Sequence, residues 1–390
     1  MKKTLLAAAV VGAFSATAAH AQSSVTLYGL IDAGVAYTSN STTTAGASGS
    51  KNFRATSGLI NGSRWGLKGS EDLGGGNKAI FVLENGFSIN NGSLGQNGRM
   101  FGRQAFVGLQ NDRFGSVTIG RQYDSLVDYL APLTLNGSSF GGTIASHPYD
   151  NDNTNNSFRV NNSVKYSSAN YNGLTFGGLY GFSNKAGDFA NNRAFSAGVN
   201  YANGPLTVAA AYLERQSGTG TGSNNGGAVD TTSNAGDAVF YASKQRVWGA
   251  GANYAFGPAT VGFVYTHTQL QGLAGLYYNS TSTSFNNDGL KFDNFEVNGR
   301  YMLTPAVSLS AAYTYTMAKQ DSTDQKPKFH TVTLQADYRL SKRTDVYLTG
   351  SYQHISDNQG TGLQAGIGAA GGMSSTSSQT VVGTGIRHRF

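Results

Sequence analysis

From about residue 24 to the last residue, apolar and polar side chains change places at every second position in short runs. That is the period of a β-strand whose two faces meet different surroundings. In the segment 25–35, Val25, Leu27, Ile31 and Val35 share one face, while Tyr28, Asp32 and Gly34 share the other. Segment 307–316 sets Val307, Leu309, Ala311, Tyr313 and Tyr315 against Ser308, Ser310, Ala312, Thr314 and Thr316. The same alternation predicts sixteen strands, at 24–37, 62–70, 77–88, 98–110, 115–122, 157–168, 173–183, 193–202, 206–216, 245–256, 259–270, 291–303, 307–319, 328–340, 344–355 and 379–390. Most match the roughly 9–11 tilted residues that cross a bilayer as strand.

The connections alternate as strictly as the side chains. Short ones fall at 71–77, 111–114, 169–172, 202–205, 256–258, 303–305 and 340–343. Long ones fall between them, at 38–61, 89–97, 123–156, 184–192, 217–244, 271–290, 320–327 and 356–378. Tight turns on one side and long loops on the other define an up-and-down antiparallel barrel. An even strand number lets the first and last strands pair, leaving no open edge in lipid. The long loops are rich in Ser, Thr, Asn and Gly, as in Ser217–Asn225 and Ser374–Ser378, and suit an aqueous exterior.

Composition sharpens this picture. The start has Lys2 and Lys3, an apolar run through Leu5, Val10, Val11 and Phe14, and an Ala19-His20-Ala21 end. These are the parts of a secretory signal, so residues 1–21 are expected to be cleaved and 22–390 to form one barrel domain beginning at Gln22. No later stretch is apolar for long enough to make a membrane helix. Charged residues are only 13%, against 53 Gly, 21 Tyr and 21 Phe. Low charge with abundant aromatics fits an aromatic lipid face around a polar lumen. Cysteine is absent, so no disulfide holds the exported chain. The net charge of +7 is scattered rather than gathered into a stripe, which argues against nucleic acid as a partner.

The polar strand faces carry the candidate site. Arg64 and Lys68 alternate with Trp65 and Leu67; Arg159, Asn161, Ser163 and Lys165 alternate with Val160 and Val164; Arg103 and Arg121 lie on the fourth and fifth predicted strands. A cation facing lipid at the midplane costs about 2–4 kcal/mol. These groups are therefore expected to face the lumen, where charged rings select ions. Arg121 shares parity with Val117 and Ile119, which requires a local bulge or packing between subunits. The loop 123–156 brings Asp124 and Asp128, which would oppose the arginines if it folded inward; spacing alone leaves its direction open. In the last strand Val382, Thr384, Ile386, His388 and Phe390 share a face up to the final residue, placing a terminal aromatic at the membrane interface.

Two enzyme-like strings are rejected. Gly137-Ser138-Ser139-Phe140-Gly141 has the spacing of a nucleophile elbow without its strand-to-helix turn. Gly366-Ile367-Gly368-Ala369-Ala370-Gly371 has a dinucleotide-like spacing in an expected surface loop, with no βαβ unit around it. The six His show no metal-ligand spacing, and no cofactor, metal or catalytic residue is expected.

The run Ser63-Arg64-Trp65-Gly66-Leu67-Lys68-Gly69-Ser70-Glu71-Asp72-Leu73-Gly74 resembles the early-strand signature of trimeric Gram-negative general porins of the Burkholderia and Neisseria type. So do Arg103–Leu109 with Phe114–Gln122, the opening Ser24–Gly29 and the closing Arg387–Phe390. The resemblance spans nearly all of the expected mature chain. It implies a sixteen-stranded homotrimeric barrel with a pore in each subunit and a third long loop folded inward as an eyelet. It further implies that Arg64, Arg103 and Arg121 line the eyelet wall and that Phe390 is an assembly signal. The second half of the loop, Ser138–Asn156, departs from any motif of that family.

The expected function is passive diffusion of ions and small hydrophilic solutes through the outer membrane, without chemistry, among outer-membrane lipid and lipopolysaccharide. The cations Arg64, Lys68, Arg103, Arg121 and Arg159 point to a weak anion preference. The rival readings are a channel specific for a sugar or anion, a barrel hydrolase and a secreted soluble β protein.

Overall fold

The computed structural model describes residues 23–138, 141–187, 189–217, 226–229 and 238–390. The expected signal 1–21 and start at Gln22 lie outside the described residues, as do Ser139 and Phe140 of the elbow-like string and most of the loop 217–244. The strands are β1 Ser24–Ser41, β2 Ser50–Ser57, β3 Arg64–Gly74, β4 Asn77–Gly86, β5 Gln104–Asn111, β6 Gly115–Gln122, β7 Val160–Ser167, β8 Leu174–Gly181 and β9 Arg193–Asn203. They continue with β10 Leu206–Gln216, β11 Phe240–Phe256, β12 Ala259–Tyr278, β13 Thr281–Met302, β14 Val307–Gln320, β15 Lys328–Arg339, β16 Thr344–Ser356 and β17 Ser378–Arg389. Each pairs antiparallel with its neighbours, and β17 closes on β1 from Leu30–Arg389 to Thr38–Val381.

The barrel has sixteen staves, because β2 and β3 are two halves of one. Both pair with β1, through Ala33–Ser41 and Ser24–Leu30 respectively. The loop expected at 38–61 thus contains a strand. Asp32 fills the break between the halves, accepting the amides of Ile60 and Asn61 at 3.0 and 2.7 Å. The expected loop at 271–290 is also corrected. β12 and β13 run on to a two-residue turn, Asn279-Ser280, both with positive φ as a tight hairpin turn requires. The β12–β13 register slips between Leu270 and Leu273 and again between Leu273 and Gly275, so the alternation breaks while the ladder continues.

Register converts the sequence alternation into two surfaces. Phe263, Val297, Tyr313, Val332 and Tyr352 stand in one cross-strand row and are all exposed. Thr266, Asn294, Thr316, Phe329 and Ile355 stand in a row of the opposite parity and are all fully buried. The apolar row is the outer face. The ladder amides pair from stave to stave around the closed sheet, the condition for strands to cross lipid.

Candidate functional site

On the inner wall the first staves gather a cluster of aromatic and charged groups. Arg103 Nε lies 2.6 Å from Glu84 Oε1, and an Arg103 Nη donates to the Tyr123 hydroxyl at 3.0 Å. Tyr123 and Tyr28 in turn donate to the two Glu84 oxygens, at 3.1 and 2.9 Å. Arg64 sits within electrostatic reach of Glu84, Arg103, Tyr28 and Tyr123. Arg159 lies over the Tyr123 ring at 5.9 Å, and exposed Lys68 over the Tyr28 ring at 5.4 Å. The structure therefore brings together Arg64, Lys68, Arg103 and Arg159, with Glu84 as the carboxylate bonded among them.

Arg121 reaches its place by a bulge. The β6–β7 register slips between Gly120 and Gln122, and Gly120 has φ +144°. A side chain at Gly120 would meet the Ala105 carbonyl at 2.1 Å, so the slip needs glycine. Arg121 is consequently buried, with Nε donating to the Gly102 carbonyl at 2.8 Å and Nη1 to Asn161.

The segment after β6 packs against the inner face of the opposite staves. Its first helical turn, Leu126–Leu130, lies in a trough made where Gly177, Gly198, Ala211 and Gly249 stand in one row across β8–β11. Leu126, Leu130 and Leu133 bury there with Leu213, Val247 and Val264. Further along, Leu135 N donates to Glu296 on β13 at 2.7 Å, and Thr143 N donates to the Ile60 carbonyl at 2.9 Å. The loop thus crosses from β6 to β13 and on to the β2–β3 break.

The two expected loop carboxylates do not meet the arginine cluster. Asp124 is fully buried and accepts Leu126 N at 2.8 Å and Asn153 Nδ2 at 2.6 Å, fastening the two ends of the loop. Burial raises its pKa to about 6. Asp128 pairs with Lys165, whose ammonium also donates to the Tyr123 carbonyl at 3.1 Å.

Sequence reasoning missed the centre of the loop. His147 is fully buried, with Nδ1 2.6 Å from Asp152 and Nε2 2.9 Å from Glu296. Burial opposes its charge, but the carboxylates outweigh it and raise the pKa to about 10. Asp152 is held down to about 2 against its burial, chiefly by His147. Burial, helped by the neighbouring Asp152 charge, raises Asp150 to about 7. Glu296 could have been found: it alternates with outward Phe295 and Val297 and so had to point inward. His147 gave no signal, lying in a loop without periodicity.

The far end of the chain closes the wall. Phe390 exchanges backbone hydrogen bonds with Gly29, both 3.1 Å, and its ring occupies the space a side chain at Gly29 would fill. Tyr347 donates to Asp32 at 2.6 Å, and Arg387 bonds Asp345 at 2.9 Å. The dinucleotide-like run 366–371 is not a surface loop. Ile367 and Ala370 are buried, and the Gly366 and Ile367 amides are taken by Gln353 and Gln379 at 2.7 and 2.9 Å.

A closed sixteen-stave barrel with an apolar exterior, a charged inner wall and a loop laid across its interior is the architecture of an outer-membrane channel. Residues 6–359 match the family model described as Gram-negative porin. The chain is similar to an outer membrane porin protein of Bordetella pertussis, 34% identical over 427 residues and all of both chains. It is 31% identical over 404 residues to outer membrane porin protein 32 of Delftia acidovorans, again over all of both. Among solved structures it superposes on the anion-selective porin from Comamonas acidovorans with TM-score 0.71 and 25% identity, covering 95% of this chain and 100% of that one. The chain belongs to the Gram-negative porin family. It is an outer-membrane channel for passive diffusion, not an enzyme.

Proposed function

We propose that the chain loses residues 1–21 on export and assembles as a homotrimer, each protomer passing small hydrophilic solutes and ions through its own lumen with a weak preference for anions. In this reading Arg64, Lys68, Arg103, Arg121 and Arg159 form the wall of the narrowest passage and the 123–156 segment its opposite side. Asp124 and Asp128 belong to the constriction as the loop's fasteners rather than as a facing negative wall. Phe390 is the assembly signal, and the outer face contacts outer-membrane lipid and lipopolysaccharide.

One observation carries the anion preference. The carboxylates that could oppose the arginines are occupied elsewhere, Asp124 by Leu126 and Asn153 and Asp128 by Lys165. That leaves Glu84 bonded within the cluster. A charged wall at a constriction sets which ions enter. The similarity to the Comamonas acidovorans channel, an anion-selective porin, agrees with this direction.

The reading is tested with the full mature chain in planar bilayers. Openings in groups of three and a reversal potential of anion sign in a KCl gradient are expected. Saturable block by a single sugar or anion would replace the general pore with a substrate-specific channel. N-terminal sequencing of the exported protein is expected to begin at Gln22.

A further inference from the structure

The outward face of the central staves carries an ordered stack of side chains toward the long-loop end. Tyr265, Phe295, Tyr315 and His330 form one cross-strand row, with successive ring centroids 5.0, 6.5 and 5.0 Å apart. One outward position higher stand His267, Asp293, Met317 and Lys328. Higher again the row reads Arg246, Gln269, Lys291 and Lys319. At the rise of a strand, the lysines lie about 13 Å beyond the rings. An aromatic row marks the edge of the hydrocarbon, so cations just past it stand at headgroup depth.

Lys291 and Lys319 face each other directly across the β13–β14 ladder. Like charges in that position destabilise a sheet. The nearest carboxylate to Lys291 is Asp321, at 3.6 Å and half exposed. Lys319 is exposed, as is Lys326 on the approach to β15, and among the described residues neither has an ion-pair or hydrogen-bond partner. Asp324 is the other acid of that connection. Arg246 and Lys244, by contrast, share Glu214 at 2.7 and 3.2 Å. Two opposed lysines with a third beside them, aimed away from the lumen, form a site that an anion outside the barrel would complete.

We propose that Lys291, Lys319 and Lys326, flanked by Arg246, dock the phosphate groups of a phosphorylated glycolipid in the outer leaflet. The lipid is favoured over free phosphate because the rings beneath the lysines would pack against its acyl chains while the ammonium groups hold its headgroup. This rests on the reading of the outer face as the lipid contact, and is independent of the pore's ion preference.

The test uses the full mature protein in vesicles of phosphatidylethanolamine containing bis-phosphorylated lipid A. The protein is extracted in mild detergent and the lipid A retained per protomer is counted by native mass spectrometry. The expected result is retention that falls about tenfold or more in Lys291→Gln/Lys319→Gln/Lys326→Gln, since each lysine near a membrane surface strengthens the attraction to an anionic lipid about fivefold. Wild-type protein should likewise prefer phosphorylated over dephosphorylated lipid A by about tenfold, a comparison that needs no variant. Equal retention by the variant, or equal retention of the dephosphorylated lipid, would overturn the proposal. So would release of the lipid by millimolar inorganic phosphate, which would assign the lysines to a free anion. Conductance recorded on the same samples reports separately on the pore.

Discussion

The ring of Tyr129 lies where a side chain at Gly198 would have to go: a Cβ there would stand 2.5 Å from Tyr129 Cδ2. Gly177 and Gly249 in the same row leave room in the same way, for the Tyr129 hydroxyl and for Leu130. The small-residue row on the wall and the aromatic and aliphatic pair on the loop are two halves of one seat. Gly198→Val overfills it, at a cost of about 1–3 kcal/mol of loop docking. Single-channel recordings should then show larger and noisier openings than wild type, with barrel heat stability little changed. Unaltered current would mean that the loop is not held by this seat.

Glu84 and Arg103 make a charge pair whose halves have opposite effects when removed. Arg103→Ala removes the bonded cation of a buried carboxylate and leaves it the two tyrosine hydroxyls with Arg64 nearby, a loss worth about 1–3 kcal/mol. It should lower thermal stability and move the reversal potential toward cations. Glu84→Gln leaves the arginines without their bonded acid and should move the reversal potential toward anions. Shifts of the same sign in both variants would show that the pair does not govern selectivity.

The loop centre carries a pH dependence of defined sign. The His147 pKa is raised to about 10, so its contribution is complete below the ordinary imidazole range and is lost as pH rises through about 10. Asp152 is held to about 2, so its contribution is present above the ordinary carboxylate range and is lost only as pH falls through about 2. Asp124 and Asp150, raised to about 6 and about 7, favour the docked loop when protonated and weaken it as they ionise. Docking should therefore be tightest near pH 4, weaken as Asp124 and Asp150 ionise up to about pH 7, and be loosest above about 10. Hydrogen exchange at the Leu135 amide, corrected for its intrinsic rate, is expected to follow that profile. His147→Ala should remove the alkaline limb, and an unchanged limb would assign it to another group.

Closure of the barrel depends on a match between its first and last staves. Gly29→Val would drive a side chain into the Phe390 ring and the Arg64 carbonyl, which lie 2.3 and 2.7 Å from a Cβ at that position. Deleting Phe390 removes the two backbone bonds to Gly29 instead. Both changes should reduce the yield of heat-modifiable barrel in refolding, with the strand content of the remaining folded material unchanged. Normal yield from both would detach assembly from this seam.

The staves were readable in the sequence because each separates lipid from lumen, and period-two alternation records that separation residue by residue. Where the surroundings become equal the record fades. In the hairpin Leu270–Leu290 the register slips twice along the β12 arm, and the β13 arm carries Ser, Thr and Asn on both faces, so it read as loop. The inward direction of Arg64, Lys68 and Arg159 followed from the cost of charge in lipid. Arg121 needed the Gly120 bulge, and its parity conflict with Val117 and Ile119 was the visible trace of it. The partners of Asp124 and Asp128 were not readable, because a helical turn in an aperiodic loop decides where each carboxylate points. Arg215 was missed for a similar reason. It is fully buried over the Phe158 ring, with Nε bonded to Gln245 at 2.6 Å, and only the docked loop makes that position interior.

Under the proposed function the arginine wall, and not the loop carboxylates, sets the sign of the pore's selectivity. Its most direct test is the reversal potential of the refolded mature chain in a KCl gradient, compared with that of Arg64→Ala/Arg103→Gln/Arg159→Ala. An anion-signed potential in the wild type that collapses toward zero or reverses in the variant is the predicted result. A cation-signed potential in the wild type, or one the variant leaves unmoved, would contradict it.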